Sequence, residues 1–143
     1  MGSRASARSH GTRGRVTMRF VVDSSFVIDH LLGDPGAIAR WDRAFVEGEQ
    51  PFITEIVVCE VRAGLREPDE AIFSSFLRPI EVVQPGPGSA MQAGRWRYAA
   101  HQQGRSLSLG DALIAAAADV LSAAVLTRNL RDFALTPVRV ETY

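Results

Sequence analysis

Four acidic side chains stand at the ends of hydrophobic segments, where distant stretches of a chain can be gathered. Asp23 closes the apolar run Arg19-Phe20-Val21-Val22, and Glu60 lies inside the helical stretch Thr54–Leu65. Asp111 opens the alanine-rich stretch Leu109–Ala124, and Asp132 follows the strand-like run Ala124-Val125-Leu126-Thr127. If all four converge, their mutual repulsion demands a divalent cation, and the pattern reads as that of a metal-dependent nuclease.

Each acid also has a purely structural explanation. Asp23 sits where open parallel sheets place ligands, beyond the carboxyl end of a strand, yet a helix N-cap accounts for an aspartate there equally well. Glu60 has Ile56, Val57, Ala63 and Gly64 as its helical neighbours, so it lies on or beside an apolar face. Buried alone, its carboxylate would cost several kcal/mol or titrate at raised pH, so it needs a partner: a metal, or an arginine such as Arg62 or Arg66. Ser108-Leu109-Gly110-Asp111 matches a capping box, and one carboxylate oxygen can cap while the other binds. Asp132 is explained as a turn residue leading into Phe133. Asp29, Asp42, Asp119 and Glu141 read as solvated or local contacts, and His30 and His101 as surface histidines on helices.

Composition narrows the chemistry. The 143 residues suffice for one hydrophobic core, and 16 basic against 16 acidic residues leave no global field for nucleic acid. All the basic residues apart from histidine are arginine, which excludes a P-loop and Schiff-base chemistry, both of which need lysine. Cys59 is the only cysteine, so an intramolecular disulfide is excluded and a cytoplasmic home is expected. There is no CxxC or HExxH pattern for zinc, no signal-peptide core, and no apolar run long enough for a bilayer.

Residues 1–17 are polar, rich in glycine and serine, and carry four arginines and no acid, which predicts a disordered basic tail. An upstream start ahead of Met18, or an arm that holds RNA, are the alternatives. A single domain is expected over residues 18–143. It opens with a buried strand at Arg19–Val22 and a helix capped by Ser24. Asp34 and Pro35 start a second helix that runs to about Glu47. A strand at Pro51–Ile53 precedes a helix capped by Thr54 and ending near Gly64. A helix from about Pro68 to Pro79, a strand at Ile80–Val83, a turn at Pro85–Gly88 and a helix at Ser89–Gln103 follow. The helix Leu109–Ala124 and strands at Val125–Thr127 and Val138–Val140 complete the pattern. Such alternation implies an α/β fold, a mostly parallel twisted sheet with helices on both faces.

Four stretches, in this order and spacing, resemble the PIN-domain ribonucleases, and among them the VapC-type toxins of bacterial type II toxin–antitoxin pairs. They are Val21–Ser25, Thr54–Gly64, Leu107–Ala117 and Leu126–Phe133. The resemblance covers the chain from about Met18 to its end and implies the three-layer PIN-like fold. It puts Asp23, Glu60, Asp111 and Asp132 at the family's acidic positions, with Asn129 an alternative for the last. Ser24 and Thr54 fall where the family keeps a hydroxyl. The implied activity is endoribonuclease cleavage by water activated with Mg²⁺, Mn²⁺ being a substitute. Asp23 and Asp111 would hold the ion, with Glu60 and Asp132 holding a second ion or its waters. Arg128, Arg131, Arg105 and Arg62 are the cations nearest the acids in sequence. The implied partners are RNA, a VapB-like antitoxin and a second copy of the chain, with no membrane. Met91, Trp96 and Tyr98 on one helix, and Trp41 and Phe45 on another, offer apolar surface or core. Two other readings stand beside this one. A catalytically silent PIN-fold scaffold would bind RNA or protein, but all four acidic positions are filled. A metal-dependent phosphatase would need a lysine and an acid where Ser25 stands.

Overall fold

The computed structural model describes residues 17–143, so the basic tail expected over residues 1–17 lies, apart from Thr17, outside the described residues. Strand β1 (Arg19–Val22) is followed by helices α1 (Ser24–Leu31) and α2 (Pro35–Val46), then β2 (Gln50–Thr54). Helix α3 (Glu55–Ala63), a 3-10 turn at Glu67–Asp69 and α4 (Glu70–Leu77) lead to β3 (Glu81–Val83). Helices α5 (Pro87–Gln102) and α6 (Leu109–Leu121) precede β4 (Ala124–Leu126), a second 3-10 turn at Leu130–Phe133 and β5 (Val140–Glu141).

The sheet runs β3-β2-β1-β4-β5 and every pairing is parallel. Parallel neighbours need crossovers, and these are right-handed. From β1 to β2 to β3 the chain moves outward in one direction; from β3 to β4 it doubles back past β1. Right-handed crossovers therefore put α1–α4 on one face and α5–α6 on the other, which gives the three layers that the alternation predicts. The direction reverses between β1 and β4, and ligands bind beyond the carboxyl ends of strands at such a reversal.

Local signals set most element boundaries. Asp34 Oδ2 accepts from the Ala37 N–H at 2.9 Å with Pro35 next to it, and Thr54 Oγ1 accepts from the Val57 N–H at 3.3 Å, starting α2 and α3 as expected. Other boundaries differ. Asp23, not Ser24, caps α1. The turn expected over Pro85–Gly88 is shorter, because Pro87 begins α5 once Gly86 has turned the chain at φ 97°. Helix α6 stops at Leu121, with Ser122 left-handed at φ 53°, since Ala124 is needed as a strand residue opposite Phe20.

The main core joins Phe20, Val21, Val22, Ile53, Val125 and Leu126 of the sheet to Phe26, Trp41, Val57 and Phe76 of the helices. His30 belongs to it as well. Its ring centroid is 4.9 Å from Phe76 and 5.9 Å from Trp41, and burial lowers its pKa. The surface position expected for it fails because Phe26, one turn earlier on the same face, points inward. Ala93, Ala100, Leu107, Ala112 and Ala116 form a second small core that seals α5 against α6. Of the aromatics weighed as surface or core, Trp41 is buried, whereas Phe45 and Tyr98 are exposed, as is Met91.

Arg40 is the one arginine buried among the described residues. Its Nη2 donates to Glu49 at 2.6 Å and Glu141 at 3.2 Å, and its guanidinium lies 5.0 Å from the Phe20 ring centroid. Breaking a buried pair strands a charge, while removing both members is close to neutral. Arg40→Met should therefore cost about 3 kcal/mol in urea unfolding, and Arg40→Met/Glu49→Leu should recover most of that loss. A double variant as unstable as the single would show that the pair itself, not the stranded charge, is the stabilising element.

Candidate active site

The site is built on the reversal between β1 and β4. Val22 pairs with Leu126, and the Asp23 N–H donates to the Leu126 carbonyl at 3.0 Å, so Asp23 and Thr127 leave the sheet side by side. Asp23 is 4% exposed, and three donors hold its carboxylate. Oδ1 accepts from the Ser24 N–H at 2.8 Å; Oδ2 accepts from Thr127 Oγ1 at 2.7 Å and Ser25 Oγ at 3.2 Å. The two hydroxyls are themselves held, Ser25 Oγ accepting from the Arg128 N–H at 3.1 Å and Thr127 Oγ1 from the Asn129 N–H at 2.9 Å. The hydroxyls beside this carboxylate are thus those of Ser25 and Thr127, rather than Ser24 and Thr54. Ser24 contributes its backbone, and the Thr54 hydroxyl is spent on capping α3. Ser25 and Thr127 carried no sequence signal of their own; the β1–β4 register brings them together.

The other three acids face this point from separate elements. Asp111 lies in the first turn of α6, where its N–H donates to Ser108 Oγ at 3.1 Å. Its carboxyl is pushed up to about 6, first by burial and then by the charges of Asp23, Asp132 and Glu60, against the lowering effect of a hydrogen bond with Ser108. Glu60, on α3, is raised by burial and then by Asp23. Asp132 sits exposed in the 3-10 turn after β4. The four acids expected from the sequence are therefore brought together, with Asp111 feeling the other three.

Among the described residues, no arginine pairs with Glu60. Arg62 is held by Glu67 at 2.8 Å and by Glu70, and Arg66 by Asp69 at 3.3 Å. Glu60 instead leans on Gly110, where a Cβ would stand 2.9 Å from its Oε2. Among the described residues, no three acid, imidazole or thiol side chains are close enough to grip one ion, so the acids form a loose cleft rather than a cage, and at most two would touch one cation. A hard cation that keeps several waters and takes few protein oxygens suits such a cleft.

Around the cleft, Arg128 pairs with Asp29, which also accepts from the Tyr143 hydroxyl at 2.6 Å. Asp29 is thus a half-buried anchor for the segment after β4. Arg105 and Arg131 are exposed and make no ion pair among the described residues. A cavity of about 470 Å³ opens past the carboxyl ends of β2 and β3, between Thr54, Ile56, Val83, Pro85 and Leu113; none of the four acids lines it.

Two outcomes follow from this geometry. An acid raised in the folded state destabilises that state once ionised, so the penalty from Asp111 is absent below about pH 4 and complete above about pH 6. Asp111→Asn should therefore gain about 1–2 kcal/mol at pH 8 in metal-free buffer, allowing for solvent screening, and nothing at pH 3.5. An equal gain at both pH values would remove the charge explanation. Thr127→Val takes a donor from the buried Asp23 carboxylate and should lower stability by about 1–3 kcal/mol at pH 7, read by thermal unfolding.

The PIN domain family matches residues 20–137. Ribonuclease VapC19 of Mycobacterium tuberculosis (strain CDC 1551 / Oshkosh) is 31% identical over 117 residues, spanning 82% of this chain and 94% of that protein. The fold is shared with VapBC2 from Rickettsia felis bound to a promoter DNA fragment, at a TM-score of 0.78 and 18% identity over 87% of this chain and 98% of that one. DNA-bound VapBC from Salmonella typhimurium matches at a TM-score of 0.77 and 23% identity, over 88% and 98% of the two chains. A toxin–antitoxin complex from Klebsiella pneumoniae matches at 0.69 and 26%, over 85% and 95%. With its parallel sheet, its acidic cleft at the β1–β4 reversal and a match across most of its length, the chain belongs to the PIN-domain family.

Proposed function

We propose that this protein is a VapC-type toxin, an endoribonuclease that hydrolyses RNA phosphodiester bonds at the cleft of Asp23, Glu60, Asp111 and Asp132. The observation that carries the reading is the convergence on Asp111, whose carboxyl is raised first by burial and then by the charges of all three other acids. Four carboxylates gathered without a neutralising arginine among the described residues would be relieved by a divalent cation that keeps most of its waters. The match to a ribonuclease over most of both chains supplies the substrate class.

Asp23 and Asp111 would hold Mg²⁺, or Mn²⁺ in its place, and Glu60 and Asp132 would hold a second ion or its waters. Such an ion lowers the pKa of a bound water and neutralises charge developing on the phosphoryl oxygens. The protein's own groups do the rest. Ser24, Ser25 and Thr127 fill three of about four acceptor positions on Asp23 and fix its plane, leaving room for one further ligand. A positive charge between them would favour the ionised forms of Asp111 and Glu60 against the burial that raises both. Glu60 reaches across from α3, where it can orient the attacking water and take its proton.

In the related solved complexes the partner is an antitoxin, and we extend this to the present chain. A groove of about 280 Å³ between α1 and α3, with Ile28, Leu31, Leu32, Val61 and Leu65, offers an apolar seat for such a protein. The protein would act as a homodimer in the cytoplasm, where RNA is available. Among the described residues, no helix is long and apolar enough to cross a membrane.

The test is cleavage of total RNA by wild type and Asp111→Asn, each with Mg²⁺, Mn²⁺ or EDTA. Metal-dependent cutting by the wild type, reduced about 100-fold or more in the variant, is expected. A wild type that folds and binds RNA yet cuts nothing with either metal would overturn the reading in favour of a silent scaffold.

A further inference from the structure

Resting on the ribonuclease reading, we propose that a pocket at the end of the α5–α6 hairpin is a nucleotide subsite, which anchors one unpaired RNA base and its phosphate beside the acidic cleft. The pocket, about 330 Å³, is lined by Arg97, Tyr98, His101, Arg105, Ser106 and Leu107. Its chemistry is the reverse of that of the cleft. Two permanent cations and a histidine line it, and no acid does.

The parts divide into floor, wall and cations. Leu107, 5% exposed, is an apolar floor tied into the small α5–α6 core. Tyr98 is 68% exposed and packs in neither core cluster, which leaves its ring as a platform for a base. Arg97 spends only its Nε, donating to the Leu107 carbonyl at 3.0 Å, so its two terminal nitrogens make no hydrogen bond among the described residues. Arg105 has no ion pair among the described residues. An aromatic face flanked by guanidinium groups takes up an unstacked base and its phosphate, the mode by which proteins hold single-stranded RNA.

Position makes the pocket useful to the reaction. Leu107 is four residues from Asp111, so the floor lies at most about 14 Å along the chain from the cleft. Four carboxylates repel an RNA strand, and anchoring the strand on the neighbouring loop offsets that repulsion without placing a cation among the acids. Arg97 also ties this loop to α5, so the anchor and the start of α6 move as one body.

The test uses Tyr98→Ala/Arg105→Ala, both exposed side chains, leaving the Arg97 strut in place. Binding of a fluorescein-labelled unstructured RNA is followed in EDTA, and cleavage of the same RNA in Mg²⁺. We expect about tenfold weaker binding, a salt slope shallower by about 1, and a matching rise in KM with little change in kcat. Wild-type affinity and KM in the double variant would overturn the subsite while leaving the ribonuclease standing. Unchanged RNA binding with an altered oligomeric state by sedimentation would assign the pocket to a protein contact and also overturn it. A wild type that neither binds nor cuts this RNA would instead sink the underlying function.

Discussion

Like charges crowded at one edge of a sheet set the terms for the rest of this molecule. At an effective dielectric of about 20, two unit charges roughly 6 Å apart repel by about 3 kcal/mol, against about 5–15 kcal/mol for the whole stability of a domain. The fold meets that repulsion by overdetermining each acid. Asp23 is locked by three donors drawn from two strand ends. Asp111 is committed by the Ser108 cap to the start of a helix whose inner face is buried alanine and isoleucine. Glu60 rides on α3, anchored by the buried Val57 and Val61. None of these elements can retreat from the others without opening the core behind it, and burial together with the repulsion raises the carboxyl of Asp111.

The division of labour among the arginines follows from the same constraint. Those close to the core or to acidic loops are already committed: Arg40 to Glu49 and Glu141, Arg62 to Glu67 and Glu70, Arg128 to Asp29. A free cation next to the carboxylates would neutralise them. Arg105, on the loop before α6, and Arg131, beside Asp132 in the turn after β4, stand exposed and make no ion pair among the described residues. A neutral chain handles a polyanion in this way by separating its charges in space rather than by carrying an excess.

Much of this was legible in the sequence because it is local. Asp34 before Pro35, Thr54 before an apolar helix and Ser108 three residues before Asp111 announce helix starts through short-range hydrogen bonds, and the structure places them there. Helical spacing around Glu60 likewise puts it beside an apolar face and in need of a partner, while only the structure shows Arg62 and Arg66 committed to other acids. What escaped depends on contacts between distant segments. Ser25 and Thr127 are 102 residues apart and meet only because β1 pairs with β4 in one register. His30 looks polar among its sequence neighbours, yet Trp41 and Phe76 close over it from two other helices. The end of α6 was overrun because alanine suits a helix, while the sheet's demand for Ala124 is made by a strand a hundred residues earlier.

The contact between Gly110 and Glu60 has a wider consequence. The second residue of α6 has no side chain, and the space a methyl group would fill is taken by the far end of Glu60, 2.9 Å from where that carbon would be. The clearance between α3 and α6 is thus gauged by a single hydrogen atom. An alanine there would leave both helices in place, because only the tip of a flexible side chain needs to swing aside. The aperture of the cleft can then be varied independently of the scaffold, one substitution re-aiming a carboxylate in an otherwise unaltered protein. Divergence among enzymes of this architecture can begin at a residue with no chemistry of its own.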